Sequence, residues 1–254
     1  MKKFFLIAVT LFVAVEMAYA YNNTYALVVG IADYKNSNDL TYTVSDAKMF
    51  ANFLASKKGG KVPVGNIVLL VNNGATKANI MAYAKSLFSK AGKDDRVIFY
   101  FSGHGGSGFF APYDCGDSWD SYLYYDEVKA MFRNAKCSTK LLFADACCAG
   151  GMKEKNEYVE MTEEKRQALS NSNIAVMMSC KADECSIETP SLRHGIFTYY
   201  LIEGLSGNAN SDKSSYVTIK ELFYYVYKKT KAYSEKQTPQ LFGKFNPNLI
   251  VGKI

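Results

Sequence analysis

The sequence predicts an α/β fold on one mostly parallel sheet, from three observations. Continuous apolar runs of strand length recur, amphipathic helical stretches lie between them, and the two types alternate along the chain. The chain has 254 residues, 48% hydrophobic and 21% charged. That is globular composition and excludes a disordered or fibrous chain. The formal charge of +6 is modest and comes from interleaved acids and bases, so nucleic acid is not an expected partner. No internal repeat or low-complexity tract interrupts the pattern.

Tyr25–Ile31 is an apolar run of the kind a strand buried on both faces requires. Ser45 can cap a helix to about Lys57, with Ala47, Phe50, Ala51 and Leu54 on one face. Asn66–Val71 reads as the second strand and Lys77–Lys90 as the second helix, with Ile80, Ala84 and Leu87 aligned. Arg96–Phe101 is the third strand, Tyr124–Ala135 the third helix and Lys140–Ala144 the fourth strand. Ile174–Met178 is the fifth, followed by helices at Gly195–Leu205 and Ile219–Tyr233 and a short last strand at Asn248–Val251. Right-handed crossovers between these strands limit the orders the sheet can take. The charge-dense stretch Gly151–Ser172 has no period and reads as a long exposed loop.

Residues 1–20 carry Lys2 and Lys3, an apolar run from Phe4 to Val15, and Ala18-Tyr19-Ala20 as a cleavage site. The run is too short for a spanning helix, which needs about 20 residues. The expectation is an exported chain, periplasmic or extracellular, whose single domain occupies residues 21–254. No membrane partner is expected. Export favours disulfides, yet the six cysteines show no C-x-x-C spacing and only two histidines exist. A structural zinc site is therefore not expected, and the pairing of the thiols stays open.

Ligands of an open parallel sheet sit beyond the carboxyl ends of its strands. The third strand runs into Ser102-Gly-His-Gly-Gly106 and the fourth into Asp145-Ala-Cys-Cys-Ala-Gly150. A histidine and a cysteine thus emerge at one sheet edge, flanked by glycines. Thiol nucleophiles need an imidazole to manage protons and backbone N–H donors for the oxyanion. An α/β-hydrolase would need G-x-S-x-G after a later strand, and no such string is present. No Walker motif exists either.

At these motifs the chain resembles the caspase-like cysteine peptidases, and within them the metacaspases and their bacterial relatives. Phe99-Tyr-Phe-Ser-Gly-His-Gly105 is similar to the group's histidine motif, and Asp145-Ala-Cys-Cys-Ala-Gly150 to its nucleophile motif. Tyr25–Tyr34, Cys180–Ser186 and His194–Leu201 resemble further segments of the group. The resemblance implies a three-layer sandwich, helices lying on both faces of a six-stranded sheet, and together with the crossover rule it implies the order 2-1-3-4-5-6 with the last strand antiparallel.

It also implies Cys147 as nucleophile, His104 as its proton-managing partner, and the N–H groups of Gly105 and Cys147 as the oxyanion hole. Cys148 stands where metacaspases usually have histidine, and His194 precedes a helix as a second catalytic candidate. Asp145 and Asp46 match two pocket carboxylates, which would favour Arg or Lys over an acid at P1, the residue before the cut. Asp46 would equally complement a helix dipole. Many metacaspases need calcium, but Asp114–Asp120 offers only three acids, so neither a metal nor another cofactor is expected. The implied protein is a monomeric endopeptidase for peptide or protein substrates, able to cut its own loop at 151–172. The alternative is a catalytically silent caspase-like domain kept for binding.

Overall fold

The computed structural model describes residues 21–106, 108–146 and 174–254. Its main sheet has six strands: β1 (Thr24–Gly30), β2 (Ile67–Val71), β3 (Arg96–Gly103), β4 (Thr139–Ala146), β5 (Ala175–Met178) and β6 (Gln240–Phe242). The spatial order is β2-β1-β3-β4-β5-β6. The first five are mutually parallel and β6 runs antiparallel to β5, Gln240 opposite Met178 and Phe242 opposite Val176.

Five α-helices cover this sheet among the described residues: α1 (Thr43–Ala55), α2 (Lys77–Phe88), α3 (Tyr125–Arg133), α4 (Ile196–Glu203) and α5 (Ile219–Tyr233). Successive strand residues point to opposite faces, and the core divides accordingly. Leu27, Val29, Val97, Phe99 and Phe101 meet Ile80, Leu87, Val128 and Phe132 of α2 and α3. Ala26, Val28, Ile98 and Tyr100 meet Phe50, Leu54, Phe197, Leu222 and Val226 of α1, α4 and α5. Phe50 stacks on Tyr100 with ring centroids 4.4 Å apart, which seats the start of α1 over β3. The three-layer sandwich follows from strands that are apolar on both sides.

Two boundaries differ from the sequence expectation. The sixth strand of the sheet is Gln240–Phe242, whereas Ile250–Lys253 pairs antiparallel with Tyr216–Thr218 in a separate ribbon. Asn248–Val251 carried the apolar signal because Val251 is buried against the α1/α4/α5 core. The true edge strand is three residues long and shows no period. Helix α1 begins at Thr43 rather than after Ser45, and its cap residue Tyr42 makes no side-chain cap bond. Its approach is fixed from far along the chain: the Glu188 carboxylate accepts from the amides of Thr41 (2.9 Å) and Tyr42 (2.8 Å).

Residues 1–20 and 151–172, expected as export signal and exposed loop, lie outside the described residues. No described helix is long and apolar enough to cross a membrane.

Candidate active site

The register places the site. Ser102 of β3 lies beside Gly30 of β1 and Asp145 of β4, and Gly103 lies beside Ala146. His104 therefore follows directly from the end of β3, next to the end of β4. Cys147, the expected nucleophile, is the next residue after Ala146 and lies outside the described residues, as does Cys148.

His104 is only 6% exposed and is fixed on several sides. Its amide donates to the Tyr34 hydroxyl (2.7 Å), which in turn donates to the Ala111 carbonyl (3.2 Å). The Tyr34 and His104 rings are 4.7 Å apart. A side chain at Gly103 would put its Cβ 2.5 Å from that hydroxyl, so glycine before the histidine is a packing requirement.

Nε2 of His104 lies 2.7 Å from the Asn38 carbonyl oxygen. A carbonyl can only accept, so Nε2 carries the proton. In the neutral ring Nδ1 is then the basic nitrogen. The loop bearing Asn38 is braced by Asp39, which accepts from the Tyr34 amide at 3.2 Å, and by Asn72, which accepts from the Ala32 amide at 3.0 Å. Gly105, the expected oxyanion donor, begins a short ribbon with its partner at Phe110.

The two expected pocket acids do come together. Asp46 is 1% exposed and Asp145 is 5% exposed, and both reach Gly195 at the start of α4. The Gly195 amide donates to both oxygens of Asp46 at 3.2 Å. A Cβ at Gly195 would collide with Asp145 Oδ2 and stand 3.1 Å from Asp46 Oδ2. Only glycine lets the chain pass between these carboxylates.

Their donors differ. Asp46 accepts from Ser102 Oγ (3.2 Å) and from His194 Nδ1 (2.7 Å). Among the described residues Asp145 accepts from uncharged donors: the Thr198 amide (3.1 Å), Thr198 Oγ1 (2.7 Å) and Ser186 Oγ. Tyr100 completes this relay, its hydroxyl 2.6 Å from Thr198 Oγ1. Burial, then the neighbouring Asp46 charge, pushes the Asp145 carboxyl up to about 7. Burial also raises Asp46, while His194, Gly195 and Ser102 pull it back down. Burial first, and then both acids, drive Tyr100 well above the ordinary tyrosine range, so its hydroxyl stays protonated and donates to Thr198.

Sequence reasoning singled out His104, Asp46, Asp145 and Gly105 but missed the groups that orient the acids. Ser102, Ser186 and Thr198 lie inside the family-like segments without an assigned role, and Gln237 lies outside them. Gln237, fully buried, donates from Nε2 to the Ser179 carbonyl (3.1 Å) and Ser186 Oγ (3.2 Å) and accepts from the Ile187 amide (3.1 Å). It thereby pins Ser186 over Asp145. His194, weighed in the sequence as a catalytic group, instead bonds a pocket acid.

The acids of the Asp114–Asp120 stretch have local partners. Asp114 Oδ1 accepts from the Lys77 amide at 2.9 Å. The Lys77 ammonium sits 2.9 Å from the Asp120 carbonyl and 2.8 Å from Glu127. Among the described residues no three metal-ligating side chains converge. Cys115 and Cys137 are buried free thiols and Cys185 an exposed one, while the buried Cys180 Sγ lies 3.4 Å from the Ala146 carbonyl and 3.3 Å from the Glu184 carbonyl. Burial pushes the Cys115 and Cys137 thiols up, away from nucleophilic character.

The described core is thus an α/β sandwich on a mostly parallel sheet, with a fixed histidine at one strand end and paired acids at the same edge. The caspase domain family matches residues 23–249, and the chain belongs to that family. It is 25% identical over 215 residues to a protein named "Probable protease" from a Desulfuromonadales bacterium, a match spanning 74% of this chain and 26% of that one. It is 32% identical to a Metacaspase-1 of Meyerozyma guilliermondii, over 39% of this chain and 25% of the relative. A Metacaspase-1 of Eremothecium gossypii is also 32% identical, over 44% and 26%. The matches thus cover about a quarter of the length of these relatives. The fold is that of a Geobacter sulfurreducens protein of known crystal structure, with TM-score 0.64 and 16% identity over 89% of this chain and 94% of that one.

Proposed function

We propose that the chain is an exported cysteine endopeptidase that cleaves after Arg or Lys. The observation that carries the reading is the His104 ring, held by Asn38 with Nδ1 as its basic nitrogen, beside the strand that leads into Cys147. In this reaction Nδ1 takes the Cys147 thiol proton and the thiolate attacks the scissile carbonyl. The amides of Gly105 and Cys147 hold the oxyanion. The C–N bond then breaks, and His104 returns its proton to the leaving amine. Water, deprotonated by His104, next splits the thioester and regenerates the thiol. No step runs through a metal.

The P1 preference rests on the buried pair Asp46 and Asp145. A buried carboxylate repels an acidic side chain and pairs with a basic one, and desolvation enlarges both effects. On a panel of peptides differing only at P1, Arg or Lys should exceed Asp by orders of magnitude in kcat/KM. Equal cleavage after Asp would overturn the reading of the pocket. No cleavage of any peptide by folded protein would favour a silent binding domain instead.

Two further parts of the proposal lie outside the described residues. Residues 1–20 have the pattern of an export signal. The residues that follow join the fold: the Tyr21 ring lies 3.5 Å from the Arg96 guanidinium, and the Asn22 amide donates to the Asp94 carbonyl at 2.7 Å. The 151–172 segment carries Lys153, Lys155, Lys165 and Arg166, so an enzyme that cuts after basic residues meets cleavable bonds in its own chain. On a denaturing gel the wild type should give fragments of roughly 15 and 10 kDa, at about 110 Da per residue, while Cys147→Ala stays whole. A fully active enzyme that remains intact would remove self-cleavage from the proposal.

A further inference from the structure

The Asp46–His194 contact has no part in the chemistry at His104, yet it is the one ionisable partner given to either pocket acid among the described residues. His194 lies in the two-residue ribbon that leads into α4, paired with Thr189, while the next residue, Gly195, pairs with Glu188. Glu188 in turn holds the amides that precede α1, and α1 carries Asp46 in its first turn. The ribbon, α1 and α4 are thus locked together around one carboxylate. The His194 side chain is four-fifths buried, and its Nδ1 lies 2.7 Å from Asp46 Oδ1. An ionised carboxylate only accepts, so Nδ1 donates.

We propose that His194 is the positioning residue of the P1 pocket: its Nδ1–H bond keeps Asp46 ionised and aimed at Gly195, leaving Asp145 as the acid that holds a proton until a basic side chain arrives. The inference rests on the basic-P1 reading above. The groups facing the pair are the Tyr100 hydroxyl from β3 through Thr198, Ser102 at the end of β3, Ser186 from the following segment, Thr198 from α4 and His194 from the ribbon. No lysine or arginine bonds either acid among the described residues. The pair therefore titrates as a unit, and a guanidinium or ammonium entering at P1 drives the last proton from Asp145 into water. Without the Nδ1 donor, emptying both carboxylates costs more, and the last proton leaves at higher pH.

The test compares kcat/KM for two peptides identical except for Arg or citrulline at P1, from pH 5.5 to 8.5. Citrulline has nearly the shape of Arg without its charge. Titration of Cys147 and His104 affects both peptides alike, so the Arg/citrulline ratio isolates the pocket. In the wild type this ratio should rise as pH increases through about 7, the Asp145 value. His194→Leu removes the donor. His194→Gln keeps polarity and volume but moves the amide nitrogen to the place of Nε2. His194→Asn restores a nitrogen donor where Nδ1 stood.

The Leu and Gln variants should lose roughly tenfold or more of the ratio at pH 7 and shift its rise to higher pH. The Asn variant should stay within about threefold of wild type. In the Leu and Gln variants citrulline turnover should fall much less than Arg turnover. If the Gln variant keeps the wild-type ratio at every pH, or Arg and citrulline turnover fall together, His194 is structural only and the inference fails. If wild-type enzyme itself never prefers Arg to citrulline, the basic-P1 reading fails first and takes the inference with it.

Discussion

Cys147→Ala and His104→Ala should each lower peptide turnover by roughly four orders of magnitude or more, because thiolate and base act as one unit. Cys148→Ala should keep much of the activity. His104 can be tested more finely through its anchor. With Nε2 bound to the Asn38 carbonyl at 2.7 Å, the ring has one orientation and one neutral tautomer. A His104→Asn side chain has no basic nitrogen to take the thiol proton, so it should be as inactive as alanine. Covalent labelling by a peptide electrophile with Arg at P1 reads the thiol directly. Mass spectrometry should find one adduct, on Cys147, and none on that site in Cys147→Ala. An active Cys147→Ala enzyme, or a dead Cys148→Ala enzyme that still folds, would overturn the assignment of the nucleophile.

Asp145→Asn should weaken cleavage after Arg by about 10²–10³-fold, the usual result of removing one member of a buried charge pair. The same change should make the protein more stable in mild alkali. Folding raises the Asp145 carboxyl from 3.8 to about 7, chiefly through burial and then through Asp46. The folded chain therefore holds a proton that the unfolded chain releases, and this contribution is complete below 3.8. It is lost as pH rises through about 7, where the buried group must ionise.

Asparagine never ionises. Its oxygen can accept from Thr198, and its NH2 can donate to the Ser186 hydroxyl, which accepts as well as donates. At pH 8 the variant should be more stable by several kcal/mol, on the order of 5–10 °C in Tm for a chain of this size. Near pH 4 the two proteins should melt together. A variant less stable than wild type at pH 8 would show that Asp145 is held by its hydrogen bonds more than it is strained by burial. Asp46 is raised by burial too, so the wild type itself should lose stability between pH 5 and 8.

That Asp46 and Asp145 belong near the ends of neighbouring strands was readable from residue order. Asp145 lies two residues before the expected nucleophile, and Asp46 follows the loop after the first strand. The donors that make the two acids unequal were not readable. His194, Ser186 and Thr198 come from a ribbon, a loop and a helix that meet only once α4 packs against α1 and β4. Gln237 pins Ser186 from beyond the end of α5. None of these residues belongs to a periodic pattern, and each is a common surface type until its neighbours bury it.

By itself the sequence determined the layers and the strand ends at which His104 and Asp145 lie. Strands apolar on both sides, such as Tyr25–Ile31 and Arg96–Phe101, require helices above and below, and alternation of strand and helix makes the neighbouring strands parallel. Glycine-flanked His104 follows one of those strands, and Cys147 follows another. These are local features, carried by side-chain period and by the ends of long elements. Only the tertiary structure decided that Gln240–Phe242 closes the sheet, that Glu188 sets the approach to α1, and that His194 serves Asp46. Each of those choices depends on which buried polar group lacks a partner once the layers have packed. That is a property of the assembled core, and no single stretch of chain encodes it.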